Sequence, residues 1–461
     1  MLPLRQFGFA AVIALLGVGF GCRKEAPQVE ASDAQAIAIA PSASVAQAPG
    51  SVASSAAPSP SAKAPAELRL NVLLIMIDSL RADMPWTGYP REIAPRLSQF
   101  AKEWVLYPRA YSLSSYTAKS VLPALVGKYP GELSRDALFF TKWGEDNELV
   151  TERLQKLGYK TLTGQGHGYF LPQFGMNQGW NDYRLLPGTF LDTTGVKDIT
   201  SERLNKLAKE MLSKPENVKQ DDGQRFFAYF HFLDPHYTYN KHPDSPDFGN
   251  KRRDLYDNEV HFTDKWVGDL IDWVDAQPFG KDTAIFITAD HGEGFGERGR
   301  YRHAYDVWES LVRVPLFVRV PGAAPRRIEE PRGHIDLVPT IAELTGIRDA
   351  TGLRGKSLVP ELFGAPAEAR PVLVDLPRAD LMDRKRAFID GKYKLIAFGD
   401  NVSYELFDVT TDLEEKQDLS KEQPELFATI KQKYLDFIAP IPNTPVTGGG
   451  KLLNAPPGQR F

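Results

Sequence analysis

The chain has 461 residues, with 55 Lys and Arg against 59 Asp and Glu and a formal net charge of −4. No basic stripe with interleaved aromatics runs through it and its eight histidines are scattered, so nucleic acid is excluded as a partner. A single cysteine, Cys22, excludes an internal disulfide and a thiolate metal cluster.

Residues 1–22 read MLPLRQFGFAAVIALLGVGFGC. Arg5 gives a positive start, and the apolar run Phe7 to Phe20 has the length of a signal-peptide core, short for a membrane span. With Cys22 among small residues, the segment resembles a bacterial lipoprotein signal, although Gly19 and Phe20 stand where the usual lipobox has Leu and a small residue. The resemblance implies that Cys22 becomes the lipidated first residue. An uncleaved signal anchor is the alternative, and either one exports the body and holds it at a membrane. More than one acyl chain is needed for durable attachment. Arg23 gives no inner-membrane retention signal, so the expected location is the cell envelope, at the outer membrane.

Residues 23–66 form an Ala/Ser/Pro tract with few charges and no aromatic, which cannot bury enough apolar area to offset chain ordering. A tether is expected there, removable without unfolding the body. The body then alternates. LRLNVLLIMID, 68–78, is a nearly continuous apolar run, as in a strand buried on both faces. TERLQKLGY reads as helical. RFFAYFHFLD, 225–234, is an aromatic strand ending in an acid. In 256–277, Val260, Trp266, Val267, Leu270, Ile271 and Val274 recur at helical spacing. TAIFITAD, 283–290, and VPLFVRVPG, 314–322, are further strands, and IDLVPTIAELTGI, 335–347, is a helix closed by Gly346. Strands alternating with helices predict an α/β sandwich with a central, mostly parallel sheet.

Asp78, Asp234 and Asp290 all fall at carboxyl ends of predicted strands, where open α/β sheets bind ligands. A lone acid there is commonly a helix cap, but three in one chain shift the balance toward a site. In TADHGEGFGERGRYRHAYDVWE, 288–309, the Asp290–His291 pair precedes four glycines that let the backbone curl tightly. One oxygen and one imidazole ligand suit Zn²⁺ or Mn²⁺ and, less strictly, Mg²⁺ or Ca²⁺. Upstream, SSYTAKSVLPALVGKYP, 114–130, crowds four hydroxyls before an apolar run. An alcohol is a weak nucleophile without a base or metal beside it, so those hydroxyls alone decide nothing.

Seven stretches in order, NVLLIMIDSLRAD, TAKSVLPALVGKYP, FAYFHFLDPHYTY, YDNEVHFTDKWVG, TADHGEGFGERG, VRVPLFVRVPG and HIDLVPTIAELTG, resemble the alkaline phosphatase/sulfatase superfamily and its sulfatase-like proteins. The tail GKYKLIAFGDNVSYELFDVTTDLEEKQDL resembles the small C-terminal portion of sulfatases. The resemblance implies a sulfatase-like catalytic domain over 67–365, a small α+β subdomain over 366–440 and a flexible tail over 441–461. It implies one divalent metal ion (Mn, Zn, Mg or Ca) on Asp78, Thr117, Asp290 and His291, with Thr117 in the nucleophile position and Ser115 or Ser114 as second choices. The sulfatase nucleophile is a formylglycine made from Cys or Ser in a C-x-P-S-R pattern; here Thr117 and Val121 replace its first and last residues, and Ser79 replaces the second acid of the common DD pair. These departures resemble instead the phosphotransferases of the superfamily, which use an unmodified Thr. They imply substrate-side roles for His167 and His236, and a place for His303 near the leaving group or a second metal. Arg298 stands where a His is common, which argues against a second metal. His231 is left open between core and site, and His242, His261 and His334 read as structural or exposed.

The favoured activity is a metal-dependent phosphoester hydrolase or phosphotransferase with a phosphorylated or sulfated small molecule, lipid or glycan as partner. A sulfuric ester hydrolase and a non-catalytic anchored binding module are the alternatives. Sulfate esters weigh against an unmodified alcohol, because an aldehyde hydrate can expel sulfate through its second hydroxyl and Thr cannot.

Overall fold

The computed structural model describes residues 68–187, 200–218, 223–380 and 382–446. Cys22, the 23–66 tether and residues 447–461 of the tail lie outside the described residues. Among the described residues no helix is long and apolar enough to cross a membrane.

The first half of the body runs β1 (Asn71–Ile77), α1 (Pro95–Glu103), β2 (Val105–Tyr111), α2 (Thr117–Val126), α3 (Val150–Lys156), β3 (Lys160–Gln165), β4 (Asp182–Leu185), α4 (Ser201–Leu212), β5 (Phe226–Phe232) and α5 (Arg252–Asp275). It continues with β6 (Thr283–Thr288), β7 (Gly294–Phe295), β8 (Tyr301–Arg302), α6 (Glu309–Val312), β9 (Arg313–Arg319), β10 (Arg326–Arg327), β11 (Arg332–Gly333), α7 (Leu337–Thr345) and α8 (Val359–Leu362). The last part holds β12 (Val372–Leu376), β13 (Lys385–Asp390), β14 (Tyr393–Phe398), β15 (Ser403–Asp408) and α9 (Pro424–Ile438).

The central sheet has the order β10-β2-β9-β6-β1-β5-β3-β4, with β11 also on β2. β6, β1, β5, β3 and β4 run parallel, and only β9 runs against its neighbours β6 and β2. Every residue of β1, β5 and β6 is buried, which is why these segments read as nearly continuous apolar runs rather than alternating ones. In register, Leu74 of β1 lies between Tyr229 and Phe286. Helices cover both faces: α1, α4 and α5 pack together on one, and α2, α3, α7 and α8 on the other. Gly346 closes α7 at φ +83°, a left-handed turn that an L side chain rarely adopts.

β12–β15 form a separate antiparallel sheet with α9 against β14, so the predicted α/β sandwich with a small C-terminal α+β part is the fold observed. An ion pair ties the C-terminal sheet to the main body, Lys394 of β14 meeting Glu309 of α6 at 3.0 Å, and Asp375 orders the C-terminal sheet itself. Asp375 of β12 holds Arg384 through two 2.9 Å contacts and Arg386 at 3.1 Å, and it accepts the Gly131 amide of the main body at 2.9 Å.

Candidate active site

Parallel strands aim their carboxyl ends the same way, so the residues that follow β1, β3, β5 and β6 meet above one edge of the sheet. Asp78 follows β1, His167 follows β3, His236 follows β5, and Asp290–His291 follow β6. α2 points its first residue, Thr117, at the same spot. Asp78, Asp290 and His291 are fully buried and each offers one ligand atom, all within 4.8 Å of one another.

Thr117 Oγ1 sits between two of these groups, 3.2 Å from Asp78 Oδ2 and 3.3 Å from His291 Nε2. His291 Nε2 lies 3.5 Å from Asp78 Oδ1 and 3.4 Å from Asp290 Oδ2. His291 Nδ1 donates to the Gly292 carbonyl at 2.8 Å, which leaves the Nε2 lone pair facing the carboxylates. Asp290 Oδ2 is buried without a hydrogen-bond partner among the described residues. A buried carboxylate oxygen in that condition is costly unless a cation meets it. Two carboxylates, a lone-pair imidazole and an orphaned oxygen therefore fit a divalent cation.

The charges respond to this crowding. Burial alone would push Asp78 up, but the charge of His236, the hydrogen bond from His231 and the charge of His291 hold it well below the usual carboxylate range. Burial and then the Asp78 charge push Asp290 up. The two acids cannot both carry full charge cheaply in a cation's absence.

Ser79, in the place of a second acid, adopts φ +60° and donates from its hydroxyl to Asp78 Oδ1 at 2.9 Å. Val121, where the family pattern has Arg, is buried and apolar. Ser120 turns away and donates to the Ser114 carbonyl at 2.8 Å. Of the crowded hydroxyls, it is Thr117 that meets the acids and His291.

His303, His236 and His167 form a row of rings. His303 lies 4.2 Å from His291, His236 lies 5.0 Å from His303, and His167 lies 5.6 Å from His236. Their ring nitrogens are assigned by their neighbours. Tyr169 N–H donates to His167 Nδ1 at 3.1 Å, and burial, then the charge of His236, lowers His167 to about 3, so His167 is a neutral imidazole with an Nε2–H to offer. His236 Nδ1 donates to the Tyr237 carbonyl at 2.8 Å, freeing Nε2. His303 Nδ1 meets Glu293 Oε1 at 3.3 Å, and Tyr239 donates to the other oxygen of Glu293 at 2.8 Å.

The other predicted groups separate cleanly. Asp234 caps α4, accepting from Thr200 N at 2.6 Å and Ser201 N at 2.7 Å. Arg298 turns away from the cleft onto the Trp308 ring at 4.5 Å and bonds the Glu415 carbonyl. His242 pairs with Glu259 and stacks on Phe262, His261 meets Ser245, and His334 meets Thr288. His231, left open by the sequence, lies inside the site: its Nε2 is 3.0 Å from Asp78 Oδ2 and 3.9 Å from Asp290 Oδ2. Its only sequence signal was a polar residue inside an otherwise apolar, fully buried strand.

A family model described as sulfatase matches residues 70–347, more than half of the chain. A second, described as N-sulphoglucosamine sulphohydrolase, C-terminal, matches residues 296–438. The choline-sulfatase of Rhizobium meliloti (strain 1021) is 25% identical over 406 residues, covering 71% of this chain and 78% of that protein. The steryl-sulfatase of Rattus norvegicus is 30% identical over 156 residues, 30% of this chain and 26% of that one. Among solved structures, a 2-O GAG sulfatase superposes with a TM-score of 0.68 at 18% identity, covering 85% of this chain and 97% of that chain. The phosphonate monoester hydrolase SpPMH from Silicibacter pomeroyi superposes with a TM-score of 0.63 at 20% identity, covering 81% and 96%. At these identities the structural likeness speaks to the fold.

Proposed function

The chain belongs to the sulfatase family of metal-dependent hydrolases, and from that premise we propose that it cleaves a phosphoester with Thr117 as nucleophile. The observation that carries the reading is the Thr117 hydroxyl lodged between Asp78 and His291, in a chain whose one Cys lies at position 22. A Thr cannot become formylglycine, so the sulfate-expelling hydrate is not accessible to it. A phosphoryl group on Thr, in contrast, can be released by attack of water at phosphorus.

Asp78, Asp290 and His291 would hold one Mn, Zn, Mg or Ca ion, whose chemistry is to make the neighbouring alcohol more acidic and to offset charge on ester oxygens. The chain's own groups do the rest. Asp78 Oδ2 accepts the Thr117 hydroxyl and fixes the direction of its lone pairs. The Thr117 hydroxyl passes its proton to Asp78 Oδ2, which later returns it, and its oxygen forms a bond to phosphorus as the bond to the leaving oxygen breaks. His167 offers its Nε2–H to a non-bridging oxygen, which stabilises charge in the transition state. His303, backed by Glu293, supplies the proton to the leaving oxygen. Water then attacks phosphorus, with His236 Nε2 as the proton acceptor, and the Thr117 oxygen leaves and is reprotonated. An acceptor hydroxyl in place of water would make the same sequence a transfer. Lipidation of Cys22, with residues 23–66 as the tether, would place this chemistry at an envelope membrane surface; incorporation of labelled palmitate that disappears in Cys22→Ser tests that part.

A second reading, hydrolysis of a sulfate ester, is favoured by the names of the relatives. Matched aryl phosphate, phosphate diester and sulfate substrates, assayed with added Mn²⁺ or Zn²⁺, separate the two. Phosphoester turnover lost by about 10³-fold or more in Thr117→Ala and in Asp290→Ala is expected. Sulfate turnover that survives without a formylglycine sinks the phosphoester reading.

A further inference from the structure

Two parts of the site lean on one short element. Gly292, whose carbonyl receives His291 Nδ1, donates its own N–H to the Leu311 carbonyl of α6 at 2.8 Å. The approach is close: a Cβ at Gly292 would lie 2.1 Å from the Ser310 carbonyl oxygen, so only glycine fits there. On the other side, Ser112 N–H donates to the Val312 carbonyl at 2.9 Å, and the Ser112 hydroxyl lies 3.2 Å from that carbonyl and 2.7 Å from the Ser114 carbonyl. α6 is thus the backrest of His291 and of the segment that leads to Thr117.

A helix of one turn has almost no internal ladder to hold it, so α6 depends on its neighbours. Those at its start come from the C-terminal part of the chain. The N–H of Glu309, its first residue, donates to Glu415 Oε2 at 2.7 Å. Lys394 Nζ of β14 lies 3.0 Å from Glu309 Oε1 and 2.8 Å from Glu415 Oε1, and the Tyr111 hydroxyl donates to Glu309 Oε2 at 3.2 Å. Lys394, Glu309 and Glu415 are all buried. The Glu415 carbonyl also accepts Arg298 at 2.9 Å, from the loop between β7 and β8. Glu415 sits at φ +53°, a left-handed conformation that costs energy for a residue with a side chain.

Stability does not account for this arrangement. Two buried carboxylates share one ammonium, and the desolvation of such groups cancels most of what their attraction returns; apolar side chains of the same volume would hold the two parts together as well. What the charged groups supply, and apolar contacts do not, is direction. One carboxylate oxygen is aligned on the first amide of α6, and one ammonium on its first side chain. We propose that Glu415 and Lys394 are positioning residues for the metal site: through them the C-terminal sheet sets the place of α6, and α6 sets the places of His291 and Thr117. Neither residue touches the reacting atoms. This role rests on the metal-site reading above and is the same whichever ester is cleaved.

The test uses the full chain and reads, by competition with a chelator, its affinity for whichever of Mn²⁺, Zn²⁺, Mg²⁺ and Ca²⁺ the wild type binds tightest. Glu415→Gly removes the carboxylate, suits the left-handed backbone and leaves Lys394 paired with Glu309, so no cation is left buried alone. It is expected to weaken metal binding about tenfold. Glu415→Gln keeps an acceptor for the Glu309 amide and should recover most of that loss. Phe388→Leu controls for stability alone. Phe388 pairs in register with Leu395, whereas Lys394 pairs with Ile389, so Phe388 lies on the opposite face of the sheet, against Phe437 of α9. It should lower stability in urea and leave metal affinity unchanged. Wild-type affinity in Glu415→Gly overturns the positioning role. So does an equal loss in Glu415→Gln, or an equal loss in Phe388→Leu, which would make the effect one of stability. A wild type that binds none of the four ions removes the metal-site reading, and the positioning role with it.

Discussion

His231 Nε2 stands 3.0 Å from Asp78 Oδ2, and its Nδ1 stands 2.7 Å from the Tyr229 hydroxyl. Tyr229 can donate to Nδ1 while Nε2–H donates to Asp78, which fixes both the tautomer and the carboxylate's orientation. Burial pulls the His231 imidazole down, but the bond to Asp78 and the charges of Asp290 and Asp78 more than reverse this. Partners of metal-binding carboxylates of this kind typically contribute about 10–100-fold in affinity. His231→Ala is therefore expected to weaken Mn²⁺ or Zn²⁺ binding by that order, read by competition with a chelator. His231→Gln, which can still donate to Asp78, should recover much of it. Equal metal affinity in all three proteins would show that His231 is only a packed core residue.

Glu293 is fully buried with one oxygen on His303 and the other on Tyr239. If its work is to orient His303 as a proton donor, Glu293→Gln should slow esters of poor leaving groups by about 10²-fold and barely affect those of acidic phenols. Tyr239→Phe should show the same pattern more weakly. The measurement is kcat across a series of leaving-group pKa values. A uniform loss across the series would assign Glu293 to folding instead.

Much of this was legible in the chain. β1, β5 and β6 announced themselves because strands buried on both faces have no polar face to interrupt the apolar run. Asp78, Asp290 and His291 followed from the strand ends. Other elements carried weaker signals. β2, VLYPRAY, contains Pro108 and shifts register between Tyr107 and Ala110, so it lacks a clean strand pattern. β3, KTLTGQ, is two-thirds polar although its last five residues are buried. Asp234 illustrates the opposite limit, since the same strand-end acid serves a helix 33 residues upstream in sequence, and only three-dimensional proximity reveals that partner.

Asp375 neutralises two arginines of its own C-terminal sheet and reaches one amide of the main body. Arg384 and Arg386 bind it, Gly131 N–H donates to it, and burial is overcome by the two guanidinium charges, which hold its carboxyl far below the usual range. Asp375→Ala leaves those buried cations without their nearest carboxylate, with Asp400 4.0 Å from Arg384 as the remaining one. The expected loss is about 3–5 kcal/mol in urea unfolding. Asp375→Asn, keeping the shape but not the charge, should fall between. A loss below about 1 kcal/mol, the range of a surface pair, would mean that the two arginines are satisfied without Asp375.

Asp264 of α5 offers a stability switch away from the cleft. It is buried and accepts the Arg96 and Leu97 amides at 2.9 and 2.7 Å, capping the start of α1. Burial nevertheless dominates those two bonds and raises its carboxyl from 3.8 to about 7. Between those values the folded protein keeps a proton that the unfolded chain has lost, so unfolding releases it. Raising the pH through this window therefore favours unfolding, and the slope from one such group approaches about 1.4 kcal/mol per pH unit. Asp264→Asn cannot release that proton. Its stability between pH 4.5 and 6.5, followed by urea unfolding, is expected to fall less steeply with pH than that of the wild type by up to this amount. Parallel pH profiles would show that the capping amides keep Asp264 ionised throughout, and that its contribution to α1 is that of an ordinary charged cap.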